Sequence, residues 1–139
     1  MLLKIKGIVF GDGHAYINAF MNSPKTGSTV PIVFLVDLGA TTTTILEGDC
    51  ERIRINCNKL QKSPDSTVVA GGKIQTYILP NVTLFFETQD GTYHIERLSK
   101  VDVIKPRKSS IKLPFSLLGI DVVRRFKLTY TSNELTLER

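Results

Sequence analysis

Apolar residues recur at every second position along most of the chain, and a period of two predicts strands rather than helices. Two such stretches, residues 2–10 and 14–21, are separated by Gly-Asp-Gly at positions 11–13, a turn signal typical of a hairpin. Residues 30–36 (VPIVFLV) form a nearly continuous apolar run, as expected for a strand buried on both faces. The pattern therefore predicts an all-β fold.

The second half of the chain continues this pattern and adds one short helix. Residues 67–79 contain two strand-like stretches around a Gly-Gly pair, and residues 82–88 and 92–98 are typical of further strands. The segment IDVVRRF, which follows Gly119, has convincing helical character, and residues 127–139 close the chain as a terminal hairpin. One helical turn is expected at residues 49–53, and polar loops are predicted at residues 22–29, 58–66 and 105–110.

Length and charge limit the class of protein. The chain has 139 residues, the size of one domain, so a single domain over residues 1–139 is predicted. The net charge is +5, but the cations are scattered, which favours a solvated basic surface over a nucleic-acid partner. No apolar run approaches the roughly 20 residues that cross a bilayer, so no membrane contact is expected. The N-terminus is typical of a strand rather than a signal peptide, and the predicted compartment is the cytoplasm.

The two cysteines, Cys50 and Cys57, do not form a recognisable metal motif. Their spacing matches no common zinc pattern, and His14 and His94 lie far away in the sequence. Two buried free thiols are the first expectation, and a disulfide between them is the alternative. No metal and no cofactor is predicted.

An acidic residue at the end of an apolar strand, Asp37, is the main candidate for chemistry; it lies within FLVDLGATTTT, residues 34–44. A buried carboxylate is costly unless a partner satisfies it or a reaction uses it. One explanation is a turn, in which Asp37 accepts a hydrogen bond from its own backbone and Gly39 adopts a positive φ. The other explanation is catalysis, and a second segment near the C-terminus favours it.

That second segment is LLGIDVVRRF, residues 117–126, in which a strand, a glycine and a short helix follow one another. Between the two segments lies VAGGKI, residues 69–74, with a glycine pair typical of a hairpin tip. The three motifs, D-L-G-A-T, the glycine hairpin and L-L-G-I-D, stand in the order found in the retropepsin-like aspartic peptidases. The chain resembles this family over roughly residues 30–139, and its last motif is most similar to those of cellular and prokaryotic members.

The resemblance implies a retropepsin-like closed β-barrel, the acid protease fold, with one short C-terminal helix. The family hydrolyses peptide bonds with two aspartates, and this chain has one D-x-G motif, so a homodimer would pair the Asp37 of each copy. The pair shares one proton, because like charges about 3 Å apart cannot both ionise cheaply. The implied function is an aspartic endopeptidase that is active below neutral pH. Residues 134–138 would pair with the termini of the partner.

The resemblance also implies how a substrate would bind. Gly39 would let the backbone approach the substrate, and Ala40 is the usual small residue beside it. Ala70, Gly71 and Gly72 would belong to a mobile flap, for which a plain hairpin turn is the alternative. The substrate would be a peptide or protein segment in extended conformation, added as a β-strand.

Two positions depart from the family pattern. Leu38 stands where the family has Thr or Ser, whose hydroxyl hydrogen-bonds across the dimer axis and holds the two aspartates coplanar. Ile120 stands where viral members typically have Arg, and the acid that pairs with this Arg is also missing, since residues 41–44 are all threonine. Leu38 favours an alternative function: a catalytically weak or inactive retropepsin-fold module for peptide binding or dimerisation.

Overall fold

A computed structural model describes residues 3–69, 72–107 and 115–139 of the chain. These residues form one sheet of ten strands with two short α-helices and one 3₁₀ turn. In chain order the elements are β1 (Lys4–Val9), β2 (Ala15–Asn22), β3 (Val30–Val36), β4 (Thr44–Ile45), α1 (Glu47–Ile53), the 3₁₀ turn Cys57–Lys59, β5 (Gln61–Val69), β6 (Gly72–Glu87), β7 (Tyr93–Ile104), β8 (Ser116–Leu118), α2 (Ile120–Val123), β9 (Lys127–Tyr130) and β10 (Glu134–Glu138).

Six of these strands close into a barrel. They are hydrogen-bonded in the order β2, β3, β8, β4, β7, β6, and β6 pairs again with β2 to complete the ring. Successive residues of a barrel strand point alternately inwards and outwards, and the inward side chains form the core. Each large apolar side chain contributes about 1.5–3 kcal/mol when fully buried. The predicted all-β closed barrel with a short C-terminal helix is confirmed, and side chains at its centre include Met21, Phe34, Ile45, Leu79, Leu84, Phe86, Val103 and Leu118.

The burial of β3 differs from the expectation. Ile32 and Phe34 are buried, whereas Pro31 and Val33 are exposed, so the prediction of burial on both faces is wrong. The physical reason is that outward-facing residues of a barrel strand do not reach the core, whatever their polarity. Here Pro31 and Val33 instead join aromatic residues such as Phe115 in lining a surface cavity of about 650 Å³.

At two places, residues 61–66 and residues 80–81, the chain continues as a strand where the sequence did not predict one. Residues 61–66 lie in β5 rather than in a loop, and they pair with β6 with a register shift between Lys62 and Ser66. β6 is continuous across Pro80 and Asn81, where the sequence predicted two separate strands. Asn81 has a φ of 53°, which asparagine tolerates better than most residues, and β6 stays paired with β7 on both sides of it. Pairing with distant strands therefore overrides the local sequence signal.

β10 is paired on both edges within its own chain. It is antiparallel to β1 on one side and to β9 on the other, and backbone hydrogen bonds of 3.1 Å join Leu3 and Arg139 in both directions. The hairpins β1–β2 and β9–β10 lie where the sequence predicts them. Both edges of β10 are thus occupied within the chain, and the pairing of residues 134–138 with the termini of a partner stays a prediction.

Both helices begin close to their predicted positions. α1 includes the expected helical turn at residues 49–53 and starts two residues earlier, and α2 is a single turn that begins directly after Gly119. In the part of the chain that the structure describes, no helix is long and apolar enough to cross a membrane.

Candidate active site

Asp37 lies in a loop, residues 37–43, that joins β3 to β4 around the end of β8. β8 lies between these two strands, parallel to β3 and antiparallel to β4. The backbone N–H of Asp37 donates to the carbonyl of Leu118 at 3.0 Å, so the pairing with β8 continues one residue beyond the end of β3. The position of this loop, called the Asp37 loop below, is therefore set by a strand from the far end of the sequence.

The carboxylate of Asp37 is half-buried and has one oxygen fixed by the backbone. Its Oδ1 accepts a hydrogen bond from the N–H of Gly39 at 2.9 Å, and the backbone carbonyl of Asp37 accepts one from the N–H of Ala40 at 3.2 Å. Within the described ranges, Oδ2 accepts no hydrogen bond. A carboxylate held in this way has a defined orientation and one oxygen open to a proton, a water molecule or a substrate.

Gly39 and Ala40 shape the tip of the Asp37 loop. Gly39 does not adopt the positive φ considered from the sequence. A Cβ there would lie 3.2 Å from Oδ1 of Asp37, so a larger residue would require this side chain to shift by a small distance. The carbonyl of Ala40 accepts a hydrogen bond from the N–H of Ile120 at 2.9 Å, which ties the loop to the start of α2. The substrate contacts of Gly39 and Ala40 stay predictions.

The carboxylate of Asp121 holds the far end of the Asp37 loop. It accepts hydrogen bonds from the N–H of Thr43 (3.1 and 3.0 Å), the hydroxyl of Thr43 (2.7 Å) and the N–H of Val122 (3.0 Å). The Thr43 hydroxyl oxygen in turn accepts a hydrogen bond from the N–H of Gly119 at 3.1 Å. Sequence reasoning placed Asp121 in a motif without giving it a role, and it missed Thr43, which nothing in a run of four threonines distinguishes.

Gly119 occupies a position where no side chain fits. A Cβ on this residue would lie 2.8 Å from the carbonyl oxygen of Ala40 and 2.9 Å from the backbone nitrogen of Thr43. Both are backbone atoms, so neither can rotate away. The glycine of the L-L-G-I-D motif is therefore required by the close approach of β8 to the Asp37 loop.

Two acidic residues of α1 hold the neighbouring segments in place. Asp49 Oδ2 accepts a hydrogen bond from the hydroxyl of Ser116 in β8 at 2.6 Å. Glu47 is 0% exposed and accepts hydrogen bonds from the backbone N–H, Nε and Nη2 of Arg107 at 2.9, 3.1 and 2.8 Å. The hydrogen bond and the charge of Glu47 raise the pKa of Arg107. Sequence reasoning missed both acids, because their partners lie 67 and 60 residues away.

Across the described ranges, no three His, Cys, Asp or Glu side chains are grouped to hold a metal ion.

Leu38 lies at the tip of the Asp37 loop and is 60% exposed. Its side chain has no hydrogen-bonding group, so it cannot supply the cross-axis hydrogen bond that the family forms at this position.

The predicted flap falls on the hairpin β5–β6. Ala70 and Gly71 lie outside the described residues, whereas Gly72 is the first residue of β6 and pairs in register with Val69. The substrate-binding roles of Ala70, Gly71 and Gly72 stay predictions.

A closed barrel in which a strand–glycine–helix segment supports a single D-x-G loop is the retropepsin-like fold. The structure is similar to the crystal structure of a retropepsin-like aspartic protease from Rickettsia conorii, with a TM-score of 0.63 and 25% sequence identity, covering 99% of this chain and 92% of that one. The sequence is 30% identical over 118 residues to an uncharacterised protein from Rickettsia prowazekii (strain Madrid E). That alignment covers 84% of this chain and 43% of the relative, so the chain spans less than half of the relative's length. No family model matches the sequence.

Proposed function

We propose that the protein is an aspartic endopeptidase whose active site forms when two copies bring their Asp37 carboxylates together. The observation that carries this proposal is the hydrogen bonding of the two carboxylate oxygens of Asp37. Its Oδ1 is fixed by the N–H of Gly39 at 2.9 Å, and its Oδ2 is without a partner among the residues that the structure describes. The retropepsin-like fold and the similarity to an aspartic protease support the same reaction.

The homodimer follows from the number of aspartates that the reaction needs. The sequence has one D-x-G motif, and activation of a water between two carboxylates requires two. Since β10 is already paired on both edges, the proposed contact between the copies is at their Asp37 loops. Burying Leu38 at a two-fold axis would contribute about 1.5–3 kcal/mol per copy, which supports such a contact.

In the proposed reaction, the two Asp37 carboxylates share one proton. The ionised carboxylate takes a proton from the bound water as the water oxygen attacks the carbonyl carbon of the scissile peptide bond. The protonated carboxyl donates its proton to the carbonyl oxygen. The first carboxyl then gives its proton to the amide nitrogen and the C–N bond breaks. As the carbonyl re-forms, the second carboxylate takes a proton from a hydroxyl of the tetrahedral intermediate, so that the pair again holds one proton. The substrate is a peptide in extended conformation, held between the Asp37 loops and the β5–β6 hairpins.

The test compares the wild type with Asp37→Asn, which keeps the side-chain size and the acceptor for the N–H of Gly39. Both proteins are incubated with a peptide library at a series of pH values between about 3 and 7. We expect cleavage by the wild type that is strongest below neutral pH, and none by the variant, with the same sedimentation mass for both. Cleavage by Asp37→Asn at the wild-type rate would show that another group does the chemistry.

One observation favours a second candidate function, a peptide-binding or dimerisation module without efficient catalysis. Leu38 lacks the hydroxyl that aligns the aspartates in the family, and its side chain is exposed beside Asp37. This alternative predicts that the wild type binds library peptides without cleaving them at any pH in the series. It also predicts that Leu38→Thr gains cleavage activity, whereas Leu38→Val, which is equally apolar and lacks a hydroxyl, does not.

A further inference from the structure

Two thiols outside the Asp37 site lie in direct contact. Cys50 belongs to α1 and Cys57 begins the 3₁₀ turn that follows, and their Sγ atoms are 3.8 Å apart. Both are free thiols, 1% and 4% exposed. Arg54 adopts a φ of 64° at the end of α1, and the N–H of Ile55 donates to the carbonyl of Cys50 at 3.0 Å. This turn reverses the chain and brings the two thiols together.

The two thiols differ in their readiness to lose a proton. The hydrogen bond with the thiol of Cys50 lowers the pKa of Cys57 against the effect of burial, and the positive charge of Lys105 lowers it further. The same hydrogen bond raises the pKa of Cys50, and burial adds to that increase. Because the thiolate is the reactive form of cysteine, Cys57 is the nucleophile of the pair and Cys50 the second thiol.

The segment that carries Cys57 lies at the surface. Asn56 and Asn58, its neighbours on each side, are exposed, and the side chain of Asn58 accepts a hydrogen bond from the Nζ of Lys105 at 3.3 Å. Cys57 itself is 4% exposed, so a small oxidant would reach its sulfur only after a local opening of the 3₁₀ turn. Bond formation requires the two sulfurs to approach from 3.8 Å to about 2.05 Å.

We propose that Cys50 and Cys57 are a redox-modification site that a peroxide converts into an intramolecular disulfide. The Cys57 thiolate attacks one peroxide oxygen, the O–O bond breaks, and the products are a sulfenic acid on Cys57 and, for hydrogen peroxide, one water after proton uptake. The sulfur of Cys50 then attacks the sulfur of Cys57 as its own proton leaves, and the sulfenic oxygen departs as a second water. Two thiols are oxidised and one peroxide is reduced. A dithiol reverses the reaction by exchange.

The reaction is tested on the full chain, reduced and then freed of reductant, with hydrogen peroxide as the probe. We expect the intact mass to fall by two hydrogen atoms, both thiols to become unreactive towards an alkylating agent, and dithiothreitol to restore them. Peptide mapping should find the two cysteines joined within one chain. Two alkylatable thiols after treatment, or a disulfide between chains instead, would overturn the proposal.

Single-cysteine variants test the order of the steps. In Cys50→Ser, Cys57 should accumulate as a sulfenic acid that a dimedone reagent traps, whereas in Cys57→Ser the remaining Cys50 should stay a thiol under the same exposure. Equal labelling of both variants would contradict the assigned roles.

A second measurement does not depend on whether the variants fold: the wild type is treated with hydrogen peroxide in urea and, in parallel, without urea. A disulfide that forms in urea but not in the folded chain would show that the native contact plays no part. The assay does not involve Asp37, so its outcome is independent of the proposed peptidase activity.

Discussion

At the scale of single residues, Asp121 holds the Asp37 loop through hydrogen bonds to Thr43. Its carboxylate accepts hydrogen bonds from the N–H and the hydroxyl of the buried Thr43, and removing it leaves these two donors without this acceptor, at about 1–3 kcal/mol each. We expect Asp121→Ala to lower the free energy of unfolding by at least this amount, measured in urea. Asp12→Ala is the control, because Asp12 accepts a hydrogen bond from His14 in an exposed turn. Equal losses from the two changes would contradict the role given to Asp121.

Gly119 provides the second prediction at this scale. Gly119→Ala places a methyl group 2.8 Å from the carbonyl oxygen of Ala40, and overpacking of this kind costs roughly 1–3 kcal/mol. The matched control is Gly11→Ala, where a Cβ has no atom within 4 Å. We expect a clear decrease in the melting temperature for Gly119→Ala and little change for Gly11→Ala. If peptidase activity is found, it should fall in the first variant, because the strain acts directly on the Asp37 loop.

The motif residues of the site could be predicted from the sequence, but their supporting contacts could not. Asp37, Gly119 and Asp121 are recognisable because each belongs to a short pattern that can be read in one window of sequence. The pairs Thr43–Asp121 and Asp49–Ser116 bring together residues 78 and 67 positions apart, and no local pattern links them. Their pairing depends on the way β8 lies between β3 and β4.

At the scale of elements, a buried glutamate on β7 ties this strand to the end of the chain. Glu96 is 6% exposed and is contacted by the guanidinium groups of Arg125 and Arg139 and by His94. Burial raises the pKa of Glu96, but the nearby imidazole of His94 and the hydrogen bond and charge of Arg139 outweigh it, and the pKa lies below its ordinary value of 4.5.

This lowered pKa predicts a loss of stability in acid. A carboxyl whose folded pKa is depressed contributes stability above its unfolded pKa, and the contribution is lost as the pH falls through the folded value. We expect Glu96→Gln to be less stable than the wild type at neutral pH, with the difference disappearing as the pH falls below 4.5. Urea unfolding across this pH range measures it. Glu134→Gln is the control, since Glu134 forms an exposed ion pair with Lys6 at 3.9 Å and should change little. A difference for Glu96→Gln that persists in acid would contradict the assignment to ionisation.

The strands that could be predicted are specified by their local sequence, whereas those that were missed are specified by pairing with another strand. β1, β2, β9 and β10 form local hairpins between turn residues, so the chain near each strand specifies it. The first half of β5, QKSPDS, has neither apolar alternation nor β-branched residues, and only its pairing with β6 makes it a strand. The prediction of a single domain over residues 1–139 stays a prediction.

At the scale of the whole molecule, the proposed dimer makes assembly depend on the tip of the Asp37 loop. Leu38→Asp would place like charges beside the two-fold axis, and we expect a monomer by sedimentation and, if the wild type is active, a loss of activity. Ile8→Asp is the matched control, because Ile8 is also an aliphatic residue, 58% exposed, but lies on β1. A wild type that sediments as a monomer at every concentration would contradict the dimer. So would a Leu38→Asp variant that still forms it.

The wild-type dimer should also make stability depend on concentration. A partner that binds only the folded chain stabilises it by mass action, so the melting temperature should rise with protein concentration. Leu38→Asp should show no such rise. A melting temperature independent of concentration in both proteins would count against association through this surface.

The position of β8 between β3 and β4 has a consequence for folding during synthesis of the chain. A ribosome delivers the chain from its N-terminus, so β3, Asp37 and β4 emerge well before the strand that must lie between them. Until residues 116–121 are synthesised, the aspartate has neither the carbonyl of Leu118 nor the carboxylate of Asp121 to position its loop. Under the proposed function, a partly made chain cannot assemble a working pair of aspartates. The order of synthesis alone would delay peptidase activity until residues 116–121 have been made.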